Sequence, residues 1–142
     1  MGQAKRIAII TGAAQGIGRK TSELLAERGY RLGLMDLGMP DETLEAVRSR
    51  GGEAFGYAGS VADEAAVEDF AREVHRQWGA ADVLVNNAGI SFIAPAERVS
   101  AKDFRRVLEV NLVGPFLLAK AFGQKMLGAG ADRLSMCHRW RD

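Results

Sequence analysis

Ile7-Ala8-Ile9-Ile10-Thr11-Gly12-Ala13-Ala14-Gln15-Gly16-Ile17-Gly18 is the stretch whose reading decides the fold. Its apolar start has no alternation, which suits a strand covered on both faces. Beyond the glycines, Ile17, Leu24 and Leu25 recur at helical spacing until Arg28-Gly29 closes the segment. A strand that enters a helix through a glycine turn leaves free backbone N–H groups and the positive helix end facing a phosphate. The Gly-x-x-x-Gly-x-Gly spacing departs from Gly-x-Gly-x-x-Gly, yet each glycine has a task. Gly12 suits the tight turn, Gly16 the close approach of a pyrophosphate, and Gly18 close packing of helix on strand. Ala14, Gln15 and Ile17 lie in the same turn.

Strand and helix alternate outward from this unit. Arg31–Asp36 reads as a second strand and Asp41–Arg50 as a helix stopped by Gly51-Gly52. Ala54–Ala58 follows as a third strand, and a third helix from Asp63 to Trp78 carries Val67, Phe70, Ala71, Val74 and Trp78 on one stripe. Asp82-Val83-Leu84-Val85 is a fourth strand. Ser100 and Asp103 then open a capping-box-like start to one long helix that continues to about Leu127, with Phe104, Val107, Leu108 and Leu112 as its apolar residues. This order predicts an α/β fold, a Rossmann-type doubly wound parallel sheet in strand order 3-2-1-4 with right-handed crossovers. Residues 1–130 read as the dinucleotide-binding portion, and residues 131–142 as a separate, aberrant tail without order.

Composition narrows the partners. The 142 residues carry a formal charge of +1, so neither nucleic acid nor an anionic membrane is an expected partner. No apolar run approaches the roughly 20 residues of a membrane span, and the first residues lead straight into a strand without a secretory pattern. The single cysteine, Cys137, excludes a disulfide framework within the chain and fits a cytoplasmic protein. Cys137 beside His138 lacks further ligands, so no metal site is expected.

Asp36 ends the second strand 18 residues beyond Gly18, near the offset of the acidic group that binds an adenosine ribose. A carboxylate there accepts from a 2′-hydroxyl and repels a 2′-phosphate, and neither Gln15 nor Leu37 offers a cation to that phosphate. NAD is therefore favoured over NADP. Asn86-Asn87-Ala88-Gly89 follows the fourth strand at its carboxyl end, where a ligand of a parallel sheet lies. Asn111 shares the stripe of Val107, Leu108 and Leu112, and a buried amide requires partners. Pro115, four residues on, has no N–H to give to the Asn111 carbonyl, which is left for another donor such as water.

Thr11-Gly12-x-x-x-Gly16-x-Gly18, Asp36, Asn86-Asn87-Ala88-Gly89 and Asn111-Leu112-x-Gly114, in this order, resemble a short-chain dehydrogenase/reductase over roughly residues 5 to 130. The resemblance implies hydride transfer between a nicotinamide and a small alcohol or ketone. It implies pyrophosphate at the glycine turn, adenosine ribose at Asp36, and adenine beside Ser60 and Val61. Asn87, Ala88 and Gly89 would lie along the cofactor, and the Asn111 carbonyl would hold a water in a proton relay. Members of the family commonly carry Asp where this chain has Ser60, a weaker, uncharged acceptor. Relatives form homo-oligomers.

The family's Ser and Tyr-x-x-x-Lys acid–base group are absent from this sequence, since Tyr30 and Tyr57 are the only tyrosines and neither is followed by Lys at the required position. The expectation is a sheet truncated after its fourth strand and the following helix, and a chain without turnover. The tail, Asp132 to Asp142, is rich in Arg where the family has a buried fifth strand. Read one base earlier, its codons permit Ser-Ile-Val-Asn-Val-Ser-Ser-Leu-Ala-Gly, which resembles that strand and the catalytic-Ser loop. A frameshift near Gly130 to Asp132 would account for this, the alternative being a natural divergent C-terminus. The alternatives are a non-catalytic NAD-binding module and a non-functional truncated product.

Overall fold

The computed structural model describes residues 4–130. Strands β1 (Ile7–Thr11), β2 (Arg31–Asp36), β3 (Glu53–Ala58) and β4 (Val83–Val85) form one parallel sheet in the order β3-β2-β1-β4. Helices α1 (Gly16–Glu27), α2 (Asp41–Ser49) and α3 (Glu64–Gln77) make the crossovers, so the α/β doubly wound reading holds. The tail beyond Gly130 lies outside the described residues, and with it the reading of residues 131–142.

Alternation along β1 divides the core in two. Ala8 and Ile10 join Leu32, Leu34, Leu44 and Val47 under α1 and α2. Ile7 and Ile9 point the other way, towards Phe70, Val74, Leu118 and Phe122 of the α3 side. Every residue of β1 is buried, as a central strand covered on both faces must be. Gly33 of β2 faces Ile9 and lets Phe70 approach: an added Cβ would lie 2.9 Å from Ile9 Cδ1 and 3.3 Å from Phe70 Cζ. Phe70 then meets Phe55, Tyr57 and Phe122 at centroid separations of 5.9, 5.5 and 5.8 Å. Val67, Phe70, Ala71 and Val74 form the buried face of α3, as their spacing predicts.

Two sequence expectations are corrected. Ile17 and Leu24 do not anchor α1; they are 42% and 43% exposed. Gly18, Ser22 and Ala26 face the sheet instead, and of the expected stripe Leu25 alone packs against the core. The helix lies too near β1 for large side chains, since a Cβ on Gly18 would collide with the Gly12 carbonyl. The helix from Ala101 is also not one regular helix. It is α4 (Ala101–Leu108), a π-turn (Glu109–Val113) and α5 (Gly114–Gly128). Pro115 cannot donate to Asn111, and the ladder slips by one residue, with Gly114 N–H reaching the Glu109 carbonyl. The apolar stripe does not enter the core: Phe104, Leu108 and Leu112 are 58%, 38% and 64% exposed. Leu117, Leu118, Phe122 and Met126 of α5, by contrast, are buried on α3 and the sheet.

Candidate functional site: a cleft at the carboxyl ends of the strands

The glycine turn brings the start of α1 to the carboxyl end of β1. Gly12 and Gly16 have φ of 65° and 55°, left-handed values that a side chain would strain. Space around Gly16 is open, whereas a Cβ on Gly12 would meet the Asn87 amide at 2.8 Å. Helices α3 and α4 satisfy their own starts, through Asp63 and Ser100 respectively. Helix α1 does not: Gln15 makes no side-chain cap and the first turn holds no acidic residue. Its leading N–H groups and its positive end are left for an external anion.

Thr11 and Asn87 tie this turn to the loop after β4. Thr11, 1% exposed, accepts through Oγ1 from the Asn87 and Ala88 N–H groups at 3.1 and 3.0 Å. In return Asn87 Nδ2 donates to the Thr11 and Gly12 carbonyls, each at 3.1 Å. Asn86 is buried beside them, and its Nδ2 has no partner among the described residues. Asn111 fixes the next stretch. Its side-chain oxygen accepts from Ile90 N–H and its Nδ2 donates to the Ile90 carbonyl, both at 2.8 Å. The amide thus has the partners that its place demands, and they belong to the loop backbone.

Asp36 closes the other end. Its carboxylate accepts from Ala14 N–H at 2.8 Å and from Leu37 N–H at 2.7 Å, which joins the end of β2 to the glycine turn. Gly59 N–H donates to the Asp36 carbonyl at 2.8 Å and brings Ser60 alongside. Ser60 Oγ accepts from Ala62 N–H at 3.2 Å.

These loops enclose a cleft of about 990 Å³, at the upper end of the range for small-molecule sites. Gly12, Gln15, Asp36, Ser60, Val61, Asn87, Ala88 and Gly89 line it, so most of the residues singled out in the sequence converge. Ala14, Gly16, Ile17, Gly18 and Asn111 are not in the lining: Gly18 serves packing, and Asn111 acts on the wall through Ile90. The sequence reading missed Ile90 and a whole wall from α4 and the π-turn, including Lys102, Arg106 and Val110. The i, i+4, i+8 spacing of these three marks a common face, but nothing local says that this face meets a cleft built from residues 12–62. Cys137 and His138 lie outside the described residues, and no described helix is long and apolar enough to cross a membrane.

Comparison with known proteins agrees with this geometry. The short chain dehydrogenase family matches residues 6–133. D-threitol dehydrogenase of Mycolicibacterium smegmatis is 39% identical over 131 residues, which cover 91% of this chain and 50% of that one. An uncharacterized oxidoreductase of Thermotoga maritima is 39% identical over 127 residues, covering 88% and 50% respectively. Among solved structures, an alcohol dehydrogenase from the archaeon Thermococcus sibiricus, complexed with 5-hydroxy-NADP, superposes with a TM-score of 0.82 at 32% identity, covering 89% of this chain and 55% of that one. A 3-ketoacyl-ACP reductase from Sinorhizobium meliloti gives 0.87 at 28% identity, covering 92% and 52%. The chain spans about half the length of these relatives. A parallel sheet in this order, a glycine turn at an uncapped helix and a family match over most of the sequence place the chain in the short-chain dehydrogenase family of oxidoreductases.

Proposed function

We propose that this chain holds the cofactor of an NAD-dependent oxidoreductase that interconverts a small alcohol and its ketone or aldehyde. The observation that carries the reading is the uncapped start of α1 at a cleft whose far end presents Asp36. The leading N–H groups of α1 fit a diphosphate, and the Asp36 carboxylate fits the hydroxyls of a ribose. Ser60 and Val61, joined to Asp36 through Gly59, would flank the adenine, and Asn87 to Gly89 would line the path towards the nicotinamide. The bound cofactor supplies or accepts the hydride. Asn111 holds the Ile90 backbone in place, and its own carbonyl, which Pro115 cannot engage through an i+4 bond, is assigned to a water in a proton relay.

The acid–base step lacks its residue within these 142 positions. Tyr30 is buried beneath Arg6, whose guanidinium lies 4.7 Å from the ring centre, and Tyr57 packs at a tilt against Phe70. Neither tyrosine lines the cleft. This supports a second reading, cofactor binding without turnover by this chain. A soluble cytoplasmic setting, self-association and indifference to nucleic acid and membranes complete the proposal.

Calorimetric titration with NAD and NADP tests it. The expected result is NAD binding in preference to NADP. In Asp36→Ala, NAD binding weakens by about tenfold or more, in line with roughly 1.5–3 kcal/mol for a hydrogen bond to a charged group. Equal NAD affinity in Asp36→Ala would refute the assignment of the ribose to that carboxylate.

A further inference from the structure

Lys102, Arg106 and Val110 follow one face of the helical path from α4 into the π-turn, and all three line the cleft. Val110 packs against the core, which puts Arg106 and Lys102 one and two turns farther out, at the mouth. Among the described residues, the other wall offers a phosphate N–H groups but no cation, because Gln15 and Leu37 occupy the adjoining positions. Among the described residues, the two cations facing this cleft come from a helix distant in sequence. Both are exposed, and neither makes an ion pair among the described residues.

Carboxylates on the same wall do not hold these cations. Asp103 accepts from the Ser100 hydroxyl at 2.6 Å as part of the α4 cap, and Glu109 lies at the π-turn. Asp36, on the facing wall, is turned to the Ala14 and Leu37 amides. We propose that Lys102 and Arg106 form a cationic rim that engages the phosphate oxygens of the dinucleotide from the α4 side and so helps to set its affinity. This rests on the cofactor reading above.

At an exposed mouth the attraction is screened by salt, and each cation contributes modestly. A 2′-phosphate adds negative charge, so the rim favours NADP more than NAD and partly offsets the repulsion from Asp36. Discrimination between the two cofactors is then a balance of two walls, one read by Asp36 and one by α4.

The test is a titration of the full chain, unaltered and as the double variant Lys102→Gln/Arg106→Gln, with NAD and with NADP at low and high salt. The double variant is expected to bind NAD about threefold to tenfold more weakly at low salt, NADP by a larger factor, with a shallower salt dependence for both. Arg106→Lys, which keeps the charge, is expected to stay within about twofold. Equal affinity and equal salt dependence in the double variant overturn the rim and leave the cofactor reading standing. A loss with unchanged salt dependence also overturns it, because a merely structural effect would look like that. Absence of binding by the unaltered chain overturns the cofactor reading, and the rim with it.

Discussion

Thr11→Val isolates the bond that joins the glycine turn to the loop after β4. Valine keeps the shape of the side chain and removes the acceptor. Asn87 N–H has a second acceptor, the Val85 carbonyl at 3.0 Å, so it is not orphaned. Ala88 N–H has Thr11 Oγ1, at 3.0 Å, as its acceptor and loses it. One donor left unpaired in this half-buried setting costs at most about 1–3 kcal/mol. A loss of 2 kcal/mol moves the urea midpoint by roughly 1 M at an m-value of about 2 kcal/mol/M. Thr11→Ser keeps the oxygen and gives up one methyl group, about 0.8 kcal/mol by transfer. Urea titration followed by circular dichroism gives the stabilities, and amide hydrogen exchange at Ala88 reports the local effect. Valine is expected to be the less stable of the two variants, with faster exchange at Ala88. A valine variant as stable as the unaltered chain would refute the claim that this hydroxyl ties the two loops together.

Two other perturbations follow from the packing between α3 and α5. Phe122→Ala removes a fully buried ring that meets Phe70 at 5.8 Å and His75 at 5.4 Å, and is expected to destabilise by about 3–5 kcal/mol in the same titration. Loss of less than about 1 kcal/mol would mean that the two helices do not pack as described. His75 has its pKa lowered from 6.5 by burial of the ring and secondarily by Lys125, with Nε2 shielded and unpartnered among the described residues. Arg72 and Arg76 of α3 face the same hollow but are paired with Asp69 and Glu73, and Glu68 stands beside them. The folded state therefore prefers the neutral ring. Its stabilising contribution is complete above the unfolded pKa near 6.5 and declines as pH falls below that value towards the folded pKa. Thermal midpoints measured from pH 7.5 down to 5 should fall less in His75→Phe than in the unaltered chain. Parallel curves would remove His75 from the account.

Local chemistry made much of this protein legible from its residues. An unbroken apolar strand, a glycine turn and a helical period specify a β-α unit wherever they occur. Repetition of that unit leaves few topologies, and the order β3-β2-β1-β4 is one of them. Asp36 and Asn87 could be singled out because each sits at or just past the carboxyl end of a strand, where a parallel sheet opens its cleft. The stripe of α1 was misread in part for a physical reason: period alone marks Ile17, Leu24 and Leu25 alike, but close approach to β1 turns Gly18, Ser22 and Ala26 to the sheet and leaves only Leu25 of the three packed on the core.

Elsewhere the tertiary structure decided. No rule of sequence says that Asn111 pairs with the backbone of Ile90, 21 positions earlier, or that a proline moves the helical ladder into a π-turn rather than ending it. Nor does it say that Lys102 and Arg106 meet the same cleft as Gly12 and Asp36. Strands and turns are fixed by neighbours along the chain, and so they can be read from it. A cleft is fixed by which surfaces remain uncovered once the elements have packed, and that is a property of the folded whole.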